Sequence, residues 1–168
     1  MASPDTLRNN DVNMWLVALL RNFIAAKKIG GMILGSRFAF ELSEIRAPEP
    51  DVAYIRADRL HLAEQRGMKG APDIAVEIVS RDSRTRDYVE KKQLYLEAAV
   101  PEYWLIDTLA RRCEFLALAD GRYEPIPLED NRIFRSRTLP GFWLDVEWLL
   151  ADPLPNDYDC LQAVLGSP

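Results

Sequence analysis

The spacing of apolar and polar positions along the chain predicts helices alternating with short strands. Apolar side chains recur at helical intervals over residues 11–28, where Asp11 is a plausible N-terminal cap and Gly30 and Gly31 form a stop signal. Short apolar runs bounded by turn residues predict strands, and these runs are residues 32–34, 37–42, 51–55, 74–80 and 103–107. The polar stretch at residues 57–70 predicts a loop that carries a short helix.

The second half of the chain continues this alternation. A helix is predicted over residues 86–99, and Pro101 lies just past its end. Residues 112–118 and 122–126 flank an Asp-Gly pair, which favours a hairpin. A short apolar helix is predicted at residues 146–150. Helices interspersed with strands in this order predict a mixed α/β domain.

Composition limits the class of protein. The chain has 48% hydrophobic and 28% charged residues, which is ordinary for a folded domain, and we expect residues 1–168 to form a single domain. No apolar run approaches the roughly 20 residues that span a bilayer, and no secretory signal is visible, so no membrane association is expected. The two cysteines, Cys113 and Cys160, lack metal-ligand spacing. A reducing cytoplasm is therefore the predicted location.

The net charge of −5 argues against a general nucleic-acid coat protein, because non-specific affinity for DNA comes from phosphate neutralisation. It is compatible with a nucleic-acid enzyme that has a locally basic rim. Basic residues crowd one short segment: Arg81, Arg84, Arg86, Lys91 and Lys92. Acidic residues are interleaved with them, so a solvated, salt-bridged helix start is the alternative interpretation.

One carboxylate, Glu77, stands inside the apolar strand predicted at residues 74–80. Successive side chains alternate between the two faces of a strand, with Ile74, Val76 and Ile78 on one face and Ala75, Glu77 and Val79 on the other. Both faces are apolar, which is typical of a strand covered on both sides. Burying an ionised carboxylate is costly unless a cation, a metal or several donors compensate it. The sequence therefore predicts a compensating partner for Glu77.

Three groups follow one another along the chain. Asp51 follows a proline at the start of a strand, Glu77 lies in the next long strand, and Lys91 or Lys92 lies in the following helix. Converging carboxylates form a hard ligand set suited to Mg²⁺ or Mn²⁺, and a nearby lysine could steady phosphate charge. Such a site suits phosphodiester hydrolysis, although a structural ion pair fits the same spacing. Counted at 100° per residue, Lys91 and Lys92 flank the apolar helix face about equally, so periodicity does not choose between them.

Several segments in order closely resemble the bacterial putative restriction endonuclease family of the PD-(D/E)XK nuclease superfamily. They are Pro-Asp-Val-Ala at residues 50–53, Pro-Asp-Ile-Ala-Val-Glu-Ile-Val-Ser at 72–80, Arg-Asp at 86–87 followed by Lys91, Val-Pro-Glu-Tyr-Trp-Leu-Ile-Asp at 100–107, and the closing Leu-Pro-Gly-Phe-Trp-Leu at 139–144. The resemblance covers about residues 31–150. It implies a restriction-endonuclease-like core, in which helices flank a central mixed β-sheet.

The resemblance also implies the roles of individual residues. Asp51, Glu77 and the main-chain carbonyl of Ile78 would bind Mg²⁺ or Mn²⁺. The superfamily pattern places a lysine where this chain has Val79, and the family pattern assigns that lysine to Lys91. The implied substrate is DNA, contacted by basic residues of the crowded segment, namely Arg81, Arg84, Arg86 and Lys92. A homodimer is also expected, because superfamily members that cut both strands commonly pair two active sites.

The chain departs from the family pattern in two places. Family members carry a further acidic and apolar segment before the first helix, whereas this chain begins almost at the helix. The first helix also lacks the acidic residue that superfamily members often place there, since residues 14–29 contain none. These departures leave one metal instead of two, or an impaired site, as alternatives. They also motivate a rival function, an inactive binding or assembly module, while an RNA-processing or mobile-element-associated nuclease would share the same site.

The remaining candidate residues favour structural roles. His61 is the one histidine of the chain and lies in a polar loop, which argues against serine–histidine hydrolysis and a histidine-based metal site. Asp107 is predicted to cap a turn. Phe142, Trp143 and Trp148 are predicted to pack in the core, although exposed aromatic side chains there would suggest a dimer surface.

Overall fold

The computed structural model describes residues 6–166, which form a layered arrangement of helices and strands. In chain order the strands are β1 (Met32–Gly35), β2 (Ala39–Glu41), β3 (Val52–Ile55), β4 (Gly67–Lys69), β5 (Ile74–Ile78), β6 (Glu102–Asp107), β7 (Arg112–Ala119), β8 (Arg122–Pro125), β9 (Ile133–Arg135) and β10 (Trp143–Asp145). The α-helices are α1 (Leu7–Ala26), α2 (Lys92–Glu97), α3 (Val146–Leu150) and α4 (Asp157–Gly166). A 3₁₀-helix spans Ala57–Leu62 and a π-helical turn spans Arg86–Lys91.

A mixed sheet organises the part of the chain described by the structure, with the strand order β1-β3-β5-β6-β7-β8. Only the central pair in this sheet, β5 and β6, is parallel, and its other neighbours are antiparallel. A parallel pair needs a crossover, and the π-helical turn and α2 supply it. The mixed α/β class and the central mixed sheet flanked by helices are thus confirmed.

The two faces of β5 pack against different layers, as the alternation of its side chains predicts. Ile74, Val76 and Ile78 join the large cluster formed with α1, α3 and α4. On the other face, Ala75 and Val79 pack with Tyr95 of α2. Because both faces are covered, any polar side chain on this strand must be satisfied inside the protein.

The first helix begins earlier than the sequence pattern predicts. Thr6 caps α1 by accepting a hydrogen bond from the Asn9 amide at 3.1 Å, so Asp11 lies inside the helix and the predicted cap is wrong. The expectation that the first helix carries no acidic residue is wrong for the same reason, because α1 begins at Leu7 and includes Asp11. After the helix, Gly31 has a positive φ of 85°, and a Cβ there would lie 2.4 Å from the Ile55 carbonyl oxygen. Only glycine fits this approach of the chain to β3.

The predicted helix over residues 86–99 is divided into the π-helical turn and α2. The side chains of Ser80 and Ser83 each accept a hydrogen bond from the other residue's amide, which closes the chain between β5 and this helix. The helix ends near Ala99, whose φ is 54°, just before the predicted stop at Pro101.

Several elements have only weak sequence signals. Strand β2 lies within the strand predicted at residues 37–42. The sequence does not predict β4, β9, β10 or α4, and these three strands are each three residues long and gain order from their partners. Helix α4 is capped by Asn156, whose side chain accepts hydrogen bonds from the Tyr158 and Asp159 amides. It packs on α1 through Cys160, Leu161 and Val164, while α3 matches the prediction at residues 146–150. Among residues 6–166, no helix is both long and apolar enough to cross a membrane.

Candidate active site

The Glu77 carboxylate lies inside the protein, on the face of β5 that packs against α2. The residue is 1% exposed, and each of its carboxylate oxygens has a partner from the crossover helix. Lys91 Nζ donates to Oε2 at 2.6 Å, and the Tyr95 hydroxyl donates to Oε1 at 2.9 Å. A cation and a neutral donor therefore share the compensation of the buried charge.

Asp51 lies beside Glu77 on the neighbouring strand. The register pairs Val52 with Val76, so extending it by one residue sets Asp51 opposite Glu77. Asp51 Oδ2 accepts a hydrogen bond from the Ile78 amide at 2.7 Å. Its main-chain carbonyl accepts one from Asn13 of α1 at 3.0 Å. The two carboxylates that are distant in sequence are thus brought together across adjacent strands.

Burial raises the pKa of Glu77 to about 8, against an ordinary value of 4.5. The Lys91 ammonium opposes this effect, whereas the negative charges of Asp51 and Asp87 add to it. The pKa of Tyr95 is also raised, first by burial and then by the adjacent Glu77. Tyr95 therefore stays a hydrogen-bond donor, while Glu77 changes protonation close to neutral pH.

The two lysines that periodicity does not separate have different environments. The Lys91 side chain is 17% exposed and contacts Glu77, and its Nζ also lies 3.6 Å from Asp87 Oδ1. Lys92 is partly exposed and forms no ion pair with any residue from 6 to 166. A π-helical turn departs from the spacing of 100° per residue, which explains why an α-helical count does not separate them.

The other predicted basic residues lie around the start of the crossover helix. Arg84 pairs with the buried Asp107 at 2.9 Å, and Arg86 lies 3.6 Å from Asp87. Both guanidinium groups are about half exposed, and Arg81 is exposed. Two of these basic side chains are therefore already paired with buried acidic residues.

A cleft of about 660 Å³ lies beside Lys91. Its lining combines aliphatic side chains with charged groups of both signs, which include Arg46, Arg86, Glu90 and Glu97. A separate cavity of about 570 Å³ lies at the end of α1, away from the carboxylates. Size alone does not distinguish the two, and proximity to Lys91 makes the first the better candidate for substrate.

The donor set around Glu77 fits a hard divalent cation. Asp51 and Glu77 provide carboxylate oxygens, and the Ile78 carbonyl follows Glu77 directly in the chain. Among the described residues, no group of three or more His, Cys, Asp and Glu side chains is placed to hold a metal. Mg²⁺ commonly uses one or two carboxylates and keeps several waters, so two carboxylates and a carbonyl suffice for that ion.

The sequence analysis does not identify Tyr95 as a site residue, because a tyrosine among the apolar positions of a predicted helix is typical of its buried face. Its spacing four residues after Lys91 was the available signal, since positions i and i+4 of a helix lie on one face. Asp107 accepts a hydrogen bond from the Ala110 amide at 2.8 Å, which confirms the predicted turn. His61 is exposed, as predicted.

The central mixed sheet flanked by helices is the architecture of a nuclease fold. A solved structure with this fold, a "putative nuclease belonging to DUF820" from Anabaena variabilis ATCC 29413, superimposes with a TM-score of 0.70. It is 16% identical in sequence, and the match covers 89% of this chain and 83% of that one.

The chain belongs to the Uma2 family, described as "Putative restriction endonuclease", whose family model matches residues 1–147. This match confirms the resemblance carried by the motifs and extends it to the first helix. No match was found among the curated proteins. Family and fold together support a nuclease-like hydrolase acting on nucleic acid.

Proposed function

We propose that this protein is a divalent-metal-dependent nuclease that hydrolyses phosphodiester bonds in DNA. The observation that supports it best is the buried Glu77 carboxylate, which lies one strand from Asp51 and contacts Lys91 at 2.6 Å. A buried carboxylate with a perturbed pKa beside a cleft is typical of functional sites.

Each residue of the site has a proposed role. Asp51, Glu77 and the Ile78 carbonyl would hold Mg²⁺ or Mn²⁺, which polarises a phosphoryl group and lowers the pKa of bound water. Lys91 would stabilise the negative charge that develops on the scissile phosphate. Neighbouring basic side chains would position the phosphate backbone, and these are Arg81, Arg84, Arg86 and Lys92.

Cleavage of labelled DNA with and without Mg²⁺ tests this function. Asp51→Ala and Glu77→Ala should each abolish metal-dependent cleavage while circular dichroism shows a folded protein. Unchanged cleavage in both variants would remove these residues from the mechanism. RNA oligonucleotides of the same sequence, assayed in parallel, distinguish a DNA nuclease from the RNA-processing alternative.

The rival proposal is a binding or assembly module that keeps the fold without the chemistry. Its support is that Lys91 already compensates Glu77 and that Val79 stands at the superfamily's lysine position. Calorimetric titration with Mn²⁺ separates the two. Saturable binding that Glu77→Gln abolishes supports the enzyme, and absence of binding supports the module.

We also propose an isologous homodimer in the cytoplasm, since twofold pairing is the commonest arrangement of soluble homo-oligomers. Phe142 is buried, and Trp143 and Trp148 pack against the core cluster, so the predicted packing of these aromatic side chains is confirmed. They therefore offer little free surface for a dimer. Sedimentation at micromolar concentration that shows only monomer would refute the dimer.

A further inference from the structure

A third buried acid, Asp87, lies next to Lys91 in the π-helical turn. Its side chain is 2% exposed, and its Oδ1 has no hydrogen-bond partner among the described residues. The nearest cationic atoms, Lys91 Nζ and Arg86 Nε, are both 3.6 Å away, beyond hydrogen-bond distance. A buried carboxylate oxygen without a hydrogen bond is costly and calls for an explanation.

The backbone around Asp87 is fixed. The buried Tyr103 hydroxyl donates to the Asp87 main-chain carbonyl at 2.9 Å, and the Asp87 amide donates to the Ser83 carbonyl at 2.8 Å. The main chain at Asp87 is therefore fixed at the point from which its carboxylate reaches to 3.6 Å from Lys91 Nζ. Its partial pairing with Arg86 does not account for this position, because that guanidinium is 52% exposed and exposed pairs contribute little.

Lys91 and a divalent cation would compete for the same carboxylate. Lys91 Nζ is 2.6 Å from Glu77 Oε2, and two positive charges that share one buried carboxylate repel each other. Lys91 must then move away from Glu77 when the cation binds. Because the lysine is mostly buried, leaving its ammonium without a counter-charge would be strongly unfavourable.

We propose that Asp87 is a positioning residue that receives the Lys91 ammonium when a divalent cation takes Glu77. This inference rests on the proposed metal-dependent function. Shortening the present 3.6 Å separation to a charge-assisted hydrogen bond requires a movement of only about 1 Å. The ammonium therefore remains beside the metal and the substrate phosphate instead of leaving for solvent. Asp87 Oδ1, which accepts no hydrogen bond from the described residues, is the acceptor available to it.

Calorimetric titration with Mn²⁺ alone tests this role on four full-length proteins. They are the parent, Asp87→Asn, Lys91→Met and the double variant. Asp87→Asn should weaken Mn²⁺ binding about tenfold or more, the usual effect of removing a group that orients metal-site residues. In the Lys91→Met background the same substitution should have a clearly smaller effect, because the lysine through which Asp87 acts is gone.

Two controls separate positioning from a structural role. Asp73→Asn alters another buried aspartate, one paired with Arg59 at 2.9 Å, and should leave Mn²⁺ affinity unchanged. Asp87→Ser supplies a second neutral variant if Asp87→Asn does not fold. Thermal unfolding of each protein confirms that affinities are compared between folded states.

Three results would overturn the inference. An Asp87→Asn affinity equal to the parent's would remove any role for Asp87 at the site. Equal losses with and without Lys91 would indicate a direct electrostatic or purely structural effect. Either result leaves the proposed function standing, because the parent still binds Mn²⁺, whereas absence of binding to the parent would remove both proposals together.

Discussion

Two buried glutamates on the central parallel strands, Glu77 of β5 and Glu102 of β6, are compensated in different ways. Glu102 is fully buried and accepts hydrogen bonds from neutral groups, namely Trp104 Nε1 at 2.8 Å, Ser136 Oγ at 3.0 Å, the Thr138 amide at 2.6 Å and the Arg137 amide. Among residues 6–166, the Glu77 carboxylate accepts hydrogen bonds from Lys91 and Tyr95 alone. The first carboxylate is thus held by fixed donors on a loop and a strand, and the second by side chains of one helix.

This difference in hydrogen-bond partners indicates that Glu102 and Glu77 have different roles. Backbone amides are fixed by the conformation of the main chain. By accepting hydrogen bonds from them, Glu102 holds the loop at residues 136–138 against the sheet. A lysine ammonium is carried on a flexible four-carbon chain, so it can move away from a carboxylate when another cation binds there. Burial, which the Lys91 ammonium offsets only in part, also keeps the pKa of Glu77 high. A buried carboxylate with few, movable partners is therefore the better candidate for chemistry.

The largest expected effect concerns Lys91, the partner of Glu77 that can move. Lys91→Met should reduce metal-dependent DNA cleavage by about 10²–10³-fold, the usual cost of losing one preorganised charge-stabilising group. Lys92→Met, measured in the same assay, is the matched comparison and should have a much smaller effect, because Lys92 would contact the phosphate backbone and not the reacting phosphate. The reverse result would transfer the role to Lys92, and equal, mild effects of both substitutions would mean that the Glu77–Lys91 contact is a structural ion pair.

Removing the Glu102 carboxylate should lower the stability of the protein more than removing the Glu77 carboxylate. Glu102→Ala leaves buried amide and indole donors without an acceptor, so the free energy of unfolding should fall by about 2–3 kcal/mol. Glu77→Ala should cost less, since Lys91 retains Asp87 as a partner. Urea denaturation measures the free energy of unfolding of both variants. If Glu77→Ala is as destabilising as Glu102→Ala, the proposed difference between the two glutamates is wrong.

The pH dependence of stability provides the next test. The pKa of Glu77 is raised to about 8 in the folded protein, against 4.5 ordinarily, so the folded state holds a proton that the unfolded state has lost. The stabilising contribution is complete below pH 4.5 and disappears as pH rises to about 8. The parent therefore loses stability as pH rises from 4.5 to about 8, whereas Glu77→Gln cannot titrate and does not show this loss. The free energy of unfolding of Glu77→Gln relative to that of the parent should rise by at most about 1.4 kcal/mol per pH unit across this window.

Urea denaturation in chelator at several pH values measures this gain. Glu44→Gln, which removes one exposed carboxylate, controls for the change in net charge. A constant difference between Glu77→Gln and the parent from pH 5 to 8 would show that the pKa of Glu77 is not raised.

The smallest expected effect concerns Tyr95, the neutral hydrogen-bond donor to Glu77. Tyr95→Phe should lower the free energy of unfolding by about 1 kcal/mol and move Mn²⁺ binding to higher pH, because the ionised Glu77 loses a donor. Tyr123→Phe removes a comparable hydroxyl, which donates to the Val100 carbonyl, and should not move the binding curve. A curve unchanged in Tyr95→Phe would show that this hydroxyl only packs.

The sequence by itself determined the elements with strong local signals. The nuclease-fold class is what the family resemblance of several motifs implies. The apolar strand around Glu77, its two faces and the short helix at residues 146–150 follow from the alternation and spacing of apolar residues. These signals are local, since each depends on residues a few positions apart. The burial of Glu77 and its need for a partner also follow, because a continuous apolar strand leaves no face for solvent.

Only the tertiary structure decided which groups meet. The pairing of β3 with β5 brings Asp51 to Glu77, and the π-helical turn turns Lys91 toward the carboxylate and leaves Lys92 at the surface. Tyr95 and the unpartnered Asp87 oxygen gained their significance in the same way. These are contacts between segments far apart in sequence or across an irregular turn, and neither strand register nor a π-helical departure is encoded in a regular 3.6-residue period.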